Sequence, residues 1–310
     1  MTTALAVPAR WTADDIPDQT GRTVIVTGAS SGLGYVTARE LARHGAHVIL
    51  TARNADRGRA ALDRLRGELT APALELRTLD LADLDSVHAF AGALDTPVDV
   101  LVNNAGIMMP PRTLTKQGFE SQFGTNHLGH FALTGLLLGR LRAGSDPRVV
   151  TVTSTLHKSG AIHYDDLDGE RSYSPRGFYA QSKYANVLFG LELNRRLRKS
   201  AVPVRSVLAH PGYSATNLQS SGPTGLLKAI LKVTNRLVAQ DVETGVLNQL
   251  YAAASPHARG GQFIGPDGRN EAKGHPTLVQ PAESATDPET ARRLWDLSEQ
   301  LTGVRYDFTT

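Results

Sequence analysis

Residues 23–34 read TVIVTGASSGLG, a run of β-branched and apolar residues followed by a turn that contains three glycines. A continuous apolar run is typical of a strand that is covered on both faces of a sheet. Glycines at a strand-to-helix turn let the backbone approach a pyrophosphate at the helix N-terminus, because they have no Cβ atom. The stretch therefore predicts the first βα unit of a dinucleotide-binding sheet, although a purely structural turn would contain the same glycines.

Strands and helices alternate along the rest of the chain. Strands are expected at Thr23 to Thr27, His47 to Thr51, Leu74 to Leu79, Val98 to Asn103, Arg148 to Ser154 and Val204 to His210. Helices are expected at Leu33 to His44, Asp56 to Leu69, Leu84 to Leu94, Gln117 to Leu141 and Phe178 to Lys199. This order predicts the α/β class, as a single Rossmann-type doubly wound parallel sheet with helices on both faces. A last strand near 261–265 and a last helix near 289–301 would complete it.

Composition narrows the class of protein. The chain has 310 residues, no cysteine and a net charge of +3, and its basic residues are not gathered in runs. We expect an N-terminal extension at 1–20 and one domain at 21–310, since no stretch has the composition of a linker. The absence of cysteine excludes disulfides and thiolate sites and favours the cytoplasm. The sequence signals neither nucleic-acid binding nor membrane insertion.

A phenol and an ammonium lie four residues apart in FYAQSK, residues 178–183. At this spacing Tyr179 and Lys183 share one helix face. A free tyrosine has a pKa of about 10, and a cation beside it favours the phenolate and lowers that pKa. Tyr179 can then act as an acid or base. The pair also occurs by chance in many helices, so its assignment depends on the rest of the chain.

The expected end of the second strand favours one cofactor. NAD-binding turns place an acidic residue about two dozen positions after the first glycine, where it holds the ribose 2′-hydroxyl. Here the sequence is LTARN, residues 50–54, with no carboxylate. Arg53 can instead pair with a 2′-phosphate, or it can be a solvated arginine at a helix start. We predict NADP(H) rather than NAD(H).

Polar side chains follow two further strands. Asp80-Leu81 comes after the third strand and Asn103 to Gly106 after the fourth, at the sheet edge where ligands bind in open α/β folds. The asparagines can also be ordinary turn residues. Asn126 lies inside a segment expected to be helical, where it is either a surface residue or has a specific role.

Six motifs occur in one order along the chain. They are TGASSGLG at 27–34, NNAG at 103–106, Asn126, Ser154, Tyr179-x-x-x-Lys183 and HPG at 210–212. The series resembles the short-chain dehydrogenase/reductase family over nearly the whole sequence. The runs HYDDL at 163–167, SKYANVLF at 182–189 and RLWDLSE at 293–299 are similar to its retinol-dehydrogenase and WW-domain oxidoreductase branch.

The resemblance implies a role for each motif. Ser154 would bind the substrate carbonyl, and Tyr179 would transfer the proton. Lys183 would hold the nicotinamide ribose and lower the pKa of the tyrosine, and Asn126 would anchor a water linking Lys183 to solvent. The implied cofactor contacts, besides Arg53, Tyr179 and Lys183, are Gly28, Ser30, Ser31, Gly32, Leu33 and Gly34 at the pyrophosphate, Asp80 and Leu81 at the adenine, Asn104, Ala105 and Gly106 at the sugar and phosphates, and Pro211, Gly212 and Thr216 at the nicotinamide.

Two departures from the family pattern and ten histidines leave alternatives open. Thr153 precedes Ser154 where relatives usually have a second serine, so Thr153 is the rival catalytic hydroxyl. Ser154 also lies 25 residues before Tyr179, a longer gap than most relatives have. We expect no metal site, because His127 and His130 share a helix face without a third ligand. His157 and His163 are candidate pocket residues.

The resemblance implies a substrate lid at about 213–241, whose amphipathic run of leucines would favour an apolar ligand. The predicted function is an NADP(H)-dependent oxidoreductase that interconverts an alcohol and a ketone or aldehyde on a hydrophobic small molecule. The alternatives are a catalytically idle dinucleotide-sensing or scaffold protein, and a light-dependent tetrapyrrole reductase, which the absence of cysteine disfavours. A homo-oligomer is possible, as in relatives.

Overall fold

The computed structural model describes residues 7–8, 10–212 and 241–309. Thr216 and the lid predicted at 213–241, apart from Asp241, lie outside these residues. The described strands are β1 Thr23–Val26, β2 His47–Ala52, β3 Leu74–Thr78, β4 Val100–Asn103, β5 Arg148–Val152, β6 Arg205–Ala209, β7 Phe263–Pro266 and β8 Pro276–Leu278. The described α-helices are α1 Gly32–Arg43, α2 Ala55–Glu68, α3 Leu84–Gly92, α4 Ser121–Phe123, α5 Gly129–Arg142, α6 Pro175–Lys199, α7 Val242–Gly245, α8 Leu247–Ala254 and α9 Pro288–Thr302.

The strands form one sheet in the order β3-β2-β1-β4-β5-β6-β7-β8. All neighbours pair in parallel except β7 and β8, which are antiparallel. Because β1 pairs with both β2 and β4, the direction of winding reverses there, and a crevice opens at the carboxyl ends of β1 and β4. The predicted fold class is confirmed. The short edge strand β8 was not predicted, since three residues that begin with proline give little strand signal.

Successive strand residues contact opposite layers of helices. Val24 and Val26 of β1 belong to a cluster with α1, α2 and α8, whereas Ile25 between them packs in a second cluster with α3, α5 and α6. This alternation follows from the period of two along a strand. It explains why the strands are continuously apolar, since both faces of the sheet are covered.

The helix predicted from Gln117 to Leu141 begins later than expected and is not uniform. Gly118 has a φ of 86°, a left-handed conformation that ends any helix there. The helix starts instead at α4, where the Glu120 carboxylate accepts hydrogen bonds from the backbone N–H groups of Gln122 and Phe123 at 2.9 and 2.8 Å. A π-helical segment, Gly124–Leu128, then joins α4 to α5. Such insertions are frequent at functional sites.

The N-terminal segment before residue 21 packs against the sheet domain. Trp11 and Ile16 are buried in the same cluster as β1, and the Trp11 ring meets Tyr251 of α8 edge-on at 5.4 Å. At least residues 11–20 therefore share the core of the domain that follows them. None of the described helices has both the length and the apolar character needed to cross a membrane.

The C-terminal segment covers the outer face of α5 and α6. Trp295 of α9 is 1% exposed, and its ring lies 5.0 Å from Phe131, 5.9 Å from Phe189 and 4.5 Å from Tyr306. The Tyr306 hydroxyl also donates to the carbonyl of Phe131 at 2.6 Å. The faces of α5 and α6 that carry Phe131 and Phe189 thus contact a later segment of the same chain.

Trp295→Ala should destabilise the protein by about 3–5 kcal/mol, because it leaves a cavity in this aromatic cluster. Arg292→Ala is the matched control on α9, where the side chain is 60% exposed, and should change stability by less than about 0.5 kcal/mol. Urea unfolding followed by circular dichroism measures both. Equal effects of the two substitutions would show that α9 does not pack as described.

Candidate active site

The glycine turn, residues 28–34, lies between β1 and the first turn of α1, at the point where the winding of the sheet reverses. Gly28 has a φ of 67°, and a Cβ atom on it would lie 2.9 Å from the Cβ of Ala105. A Cβ on Gly34 would lie 2.5 Å from the carbonyl oxygen of Gly28. Any other residue at these two positions would push the turn away from the loop that follows β4.

Hydrogen bonds join this turn to the loop after β4. The hydroxyl of Thr27 accepts from the backbone N–H groups of Asn104 and Ala105, each at 2.9 Å. The side-chain amide of Asn104 donates to the carbonyl of Thr27 at 2.8 Å. Ser31, the N-cap of α1, makes no side-chain cap bond, so N–H groups of the first helical turn are available to an anion.

The predicted adenine and 2′-phosphate residues lie at the ends of the neighbouring strands. Arg53 follows β2 and is exposed, and in the described part of the chain no carboxylate pairs with its guanidinium. Asp80 follows β3, where its carboxylate accepts from the N–H of Ala82 at 2.9 Å, and Leu81 is buried. A glycine cradle and free helix N–H groups fit the pyrophosphate of a dinucleotide.

Ser154 and Tyr179 meet beside this crevice. Ser154 follows β5, and Tyr179 is a buried residue in the first two turns of α6, which starts with Ser174 as N-cap and Pro175. Burial raises the pKa of Tyr179, and the Ser154 hydroxyl, as a hydrogen-bond partner of the phenol, opposes that rise. The rival hydroxyl, on Thr153, donates to the backbone carbonyl of Lys183 at 2.7 Å and so points into α6. Ser154 is the hydroxyl that faces the tyrosine.

Burial dominates the protonation of the tyrosine and the lysine. It raises the pKa of Tyr179 to about 12 and lowers the pKa of Lys183 to about 8, because both charged forms lose hydration. The Lys183 ammonium donates to the carbonyl of Val152 at 3.2 Å and lies 5.7 Å from the centre of the Tyr179 ring. The predicted lowering of the tyrosine pKa by Lys183 is therefore not found in the structure, where desolvation outweighs any influence of the cation.

Asn126 lies in the π-helical segment and binds the loop after β4. Its Oδ1 accepts from the N–H of Ile107 at 2.8 Å, and its Nδ2 donates to the carbonyl of Ile107 at 3.0 Å and the hydroxyl of Ser182 at 2.9 Å. A Cβ on Gly106 would lie 3.0 Å from Asn126 Oδ1 and 3.7 Å from Lys183 Nζ. The asparagine and the lysine thus border one small space, and a water anchored there by Asn126 stays a prediction.

The predicted nicotinamide residues lie at the end of β6, against the loop between β7 and β8. A Cβ on Gly212, whose φ is 67°, would lie 2.5 Å from the carbonyl oxygen of Ala272. In the same loop Glu271 accepts from Nε2 of His210 at 3.1 Å and from Lys158 at 2.6 Å. The His210 hydrogen bond is the main reason why the pKa of Glu271 falls to about 2. Glu271 was not predicted from the sequence, since no local pattern relates it to the distant strand ends.

The two histidines predicted to line a pocket lie in different environments. His157 is fully buried, its Nδ1 donates to the carbonyl of Ser154 at 2.7 Å, and its Nε2 accepts from the N–H of Ala282 at 3.2 Å. The expectation that His157 lines a pocket is therefore wrong, because both ring nitrogens support the serine turn. His163 is exposed. In the part of the chain that the structure describes, no group of three histidine, aspartate or glutamate residues could hold a metal ion.

A doubly wound sheet with a glycine cradle at its reversal point and a serine, tyrosine and lysine beside it defines a nicotinamide-dinucleotide oxidoreductase. The family model for short chain dehydrogenase matches residues 22–225. Human retinol dehydrogenase 14 is 41% identical over 303 residues, which cover 92% of this chain and 87% of that protein. Mouse polyprenol dehydrogenase is 41% identical over 298 residues, covering 93% and 86%. The chain therefore belongs to the short-chain dehydrogenase/reductase family, in its retinol-dehydrogenase-like branch.

Solved structures agree with this assignment. A crystal structure of an uncharacterized protein from Mycobacterium paratuberculosis matches with a TM-score of 0.81 and 46% identity, covering 96% of this chain and 99% of that one. A candidate NAD(P)-dependent gluconate 5-dehydrogenase from Beutenbergia cavernae, with NADP bound at low occupancy, matches with a TM-score of 0.62 and 26% identity, covering 79% and 94%. The protein is an NAD(P)-dependent enzyme that acts on an alcohol or carbonyl group.

Burial of Lys183 should make stability depend on pH. The pKa of Lys183 is about 8 in the folded protein, compared with 10.5 for a free lysine. Between these values the unfolded state binds more protons, so the free energy of unfolding rises with pH across that window. Lys183→Met removes the buried charge and should be more stable than the natural protein by roughly 3 kcal/mol at pH 7. The difference should disappear near pH 10.5.

Urea unfolding at several values between pH 7 and pH 10.5 measures this change. Lys199→Met, at the exposed end of α6, is the control and should parallel the natural protein throughout. A Lys183→Met variant that is less stable at pH 7, or a pH-independent difference, would contradict a desolvated lysine.

Proposed function

We propose that the protein is an NADP(H)-dependent oxidoreductase that interconverts an alcohol with a ketone or aldehyde on a hydrophobic small molecule. The observation that carries the proposal is the pairing of the Ser154 hydroxyl with the Tyr179 phenol next to the glycine cradle. Two hydroxyl groups that converge on one point can hold a single substrate oxygen, which is the atom that gains or loses a proton. The family and its retinol and polyprenol dehydrogenase members support the reaction type.

The cofactor choice rests on Arg53. Its exposed guanidinium follows β2 without a carboxylate partner in the described chain, and the sequence there has no acidic residue to favour the 2′-hydroxyl of NAD. A guanidinium can bind a phosphate through two parallel hydrogen bonds. The NADP bound to the Beutenbergia cavernae relative is consistent with this choice.

The protonation states favour Tyr179 as proton donor. The bound cofactor supplies or accepts the hydride. With a pKa of about 12, Tyr179 is a neutral phenol at pH 7 and can give its proton to a developing alkoxide. Lys183, with a pKa of about 8, is mostly protonated at pH 7 and is the stronger acid, so its proton can return the tyrosine to the phenol form. Asn126 and the backbone of Ile107 hold the loop beside these groups.

An apolar substrate fits the residues that follow NNAG. Ile107, Met108 and Met109 are partly buried, and the N–H of Met109 is held by the Gln122 side chain at 2.8 Å. They lie in the loop that Asn126 holds through the backbone of Ile107. Retinol and polyprenol, named in the relatives, are alcohols with long apolar chains.

The proposal includes a cytoplasmic location for the protein, which its lack of cysteine supports.

Arg53→Ala should weaken NADPH binding about 10- to 100-fold, through loss of a charged hydrogen bond pair. NADH binding should not change, because NADH has no 2′-phosphate. Dissociation constants for both nucleotides come from the quenching of protein fluorescence. Arg57→Ala, at an exposed position of α2, is the control and should bind both as the natural protein does. Equal loss of NADPH and NADH would exclude a phosphate contact.

A substrate panel of retinoids, steroids, aliphatic aldehydes and polyketide-like ketones tests the reaction, with cofactor absorbance as the readout. Tyr179→Phe and Ser154→Ala should each lower kcat by at least about 100-fold, and Tyr179→Phe should keep its affinity for NADPH. Thr153→Val should lower kcat by less than about tenfold, which is the effect of one hydrogen bond. NADPH binding without turnover across the panel would favour the dinucleotide-sensing alternative, and light-dependent turnover would favour the tetrapyrrole reductase.

A further inference from the structure

His130 is a buried polar residue that the proposed mechanism does not use. It is 1% exposed and lies at the start of α5, directly after the π-helical segment that holds Asn126. One ring nitrogen, Nδ1, is 3.0 Å from the backbone carbonyl of Asn126. The other, Nε2, is 2.9 Å from the hydroxyl of Thr27. His130 therefore contacts both the helix that carries a predicted catalytic residue and the turn predicted to bind the cofactor.

These contacts determine the tautomer of the ring. A carbonyl oxygen can only accept a hydrogen bond, so Nδ1 of His130 must carry the proton. Burial lowers the pKa of His130 to about 4, and the ring is therefore neutral at pH 7. In a neutral imidazole the second nitrogen is an acceptor, so Nε2 accepts from the hydroxyl of Thr27.

The other hydrogen bonds of Thr27 lead independently to the same conclusion, that its hydroxyl donates to Nε2 of His130. Its hydroxyl already accepts from the N–H groups of Asn104 and Ala105, which occupy both lone pairs. Its single proton must go either to His130 Nε2 at 2.9 Å or to the carbonyl of Val102 at 3.1 Å. That carbonyl already accepts from the N–H of Thr27 at 3.0 Å. The imidazole is thus the closer acceptor and has no other donor.

The Asn126 carbonyl lies in the π-helical segment. In this segment the N–H of Gly129 donates to the carbonyl of Gly124, five residues earlier, so the backbone departs from the regular i+4 pattern. A carbonyl oxygen has two lone pairs, and the imidazole of His130, four residues after Asn126, can bind one of them.

We propose that His130 is a positioning residue for the reductase site. The proposal rests on the function above and extends it: one neutral imidazole links the β1–β4 junction at Thr27 to the backbone of Asn126. Through Thr27 it supports the loop formed by Asn104 and Ala105, and through the carbonyl it fixes the residue that borders the space next to Lys183. His130 contacts no reacting atom. Its hydrogen bond to Thr27 should affect the affinity for NADPH, and its hydrogen bond to the Asn126 carbonyl should affect kcat.

The tautomer is tested by ¹⁵N NMR of the histidine side chains, with His130 assigned by its absence from the spectrum of His130→Asn. Nδ1 should show the shift of a protonated nitrogen and Nε2 that of a bare one between pH 6 and about pH 8. An Nε2–H tautomer, or a ring that titrates in this range, would overturn the proposal. The measurement needs neither cofactor nor substrate, so its failure is distinct from failure of the proposed function.

The two bonds are separated by two substitutions. In His130→Asn the side-chain amide can replace Nδ1–H at the Asn126 carbonyl but cannot reach Thr27, whereas His130→Leu loses both contacts. His130→Asn should therefore keep kcat within about threefold and raise the dissociation constant of NADPH about tenfold, the effect of one buried hydrogen bond. His130→Leu should lower kcat about tenfold and raise the dissociation constant of NADPH about tenfold.

His127→Asn is the matched control on the same helical segment. His127 is also buried, but its Nε2 pairs with the hydroxyl of Ser298 at 2.8 Å, away from the site. This variant should lose stability without changing kcat or NADPH affinity. Equal kcat values for His130→Asn and His130→Leu, or NADPH affinities that match the control, would show a purely structural role. If His130→Leu does not fold, the proposal is decided by the tautomer of His130 seen by NMR and by the NADPH affinity of His130→Asn.

Discussion

The hydroxyl of Thr27 joins the two strands on which the rest of the site depends. A doubly wound sheet opens a crevice where its winding reverses, between β1 and β4, and the loops that leave these two strands form its walls. Thr27 ties them by accepting from two successive backbone N–H groups of the loop after β4. The glycine turn can then pack against Ala105 at a distance that no larger residue permits. The strand junction therefore sets the geometry of the cofactor cradle.

The predicted catalytic groups lie where water hydrates them poorly. Burial keeps Tyr179 a neutral phenol and makes Lys183 a stronger acid than a free lysine, and the desolvation of Lys183 costs folding free energy at pH 7. Hydrogen bonds from neighbouring side chains fix the backbone around these two residues. Thr153, Asn126 and His157 each use their polar atoms to fix a neighbouring backbone segment, so the reactive side chains occupy one arrangement.

The fold was predictable because it depends on local patterns. Apolar strands at regular intervals specify a buried parallel sheet, and the glycine turn and the Tyr-x-x-x-Lys spacing locate the site along it. Other features depend on contacts between distant residues, which one sequence does not reveal. Glu271 reaches His210 from the loop after the neighbouring strand β7, about 60 residues further along the chain, and the π-helical segment around Asn126 arises in a run that resembles an ordinary helix. The tyrosine pKa was predicted in the wrong direction, because desolvation is a property of the whole fold.

The position of α9 also affects how the chain reaches its native state during synthesis. The aromatic faces of α5 and α6 are complete long before Trp295 and Tyr306 leave the ribosome, and these two residues are what cover them. A nascent chain of this protein thus carries an uncovered apolar surface until α9 and Tyr306 have been synthesised, and chaperones bind surfaces of that kind. Premature termination upstream of α9 would release a molecule whose sheet and site residues are all present but which is prone to aggregate.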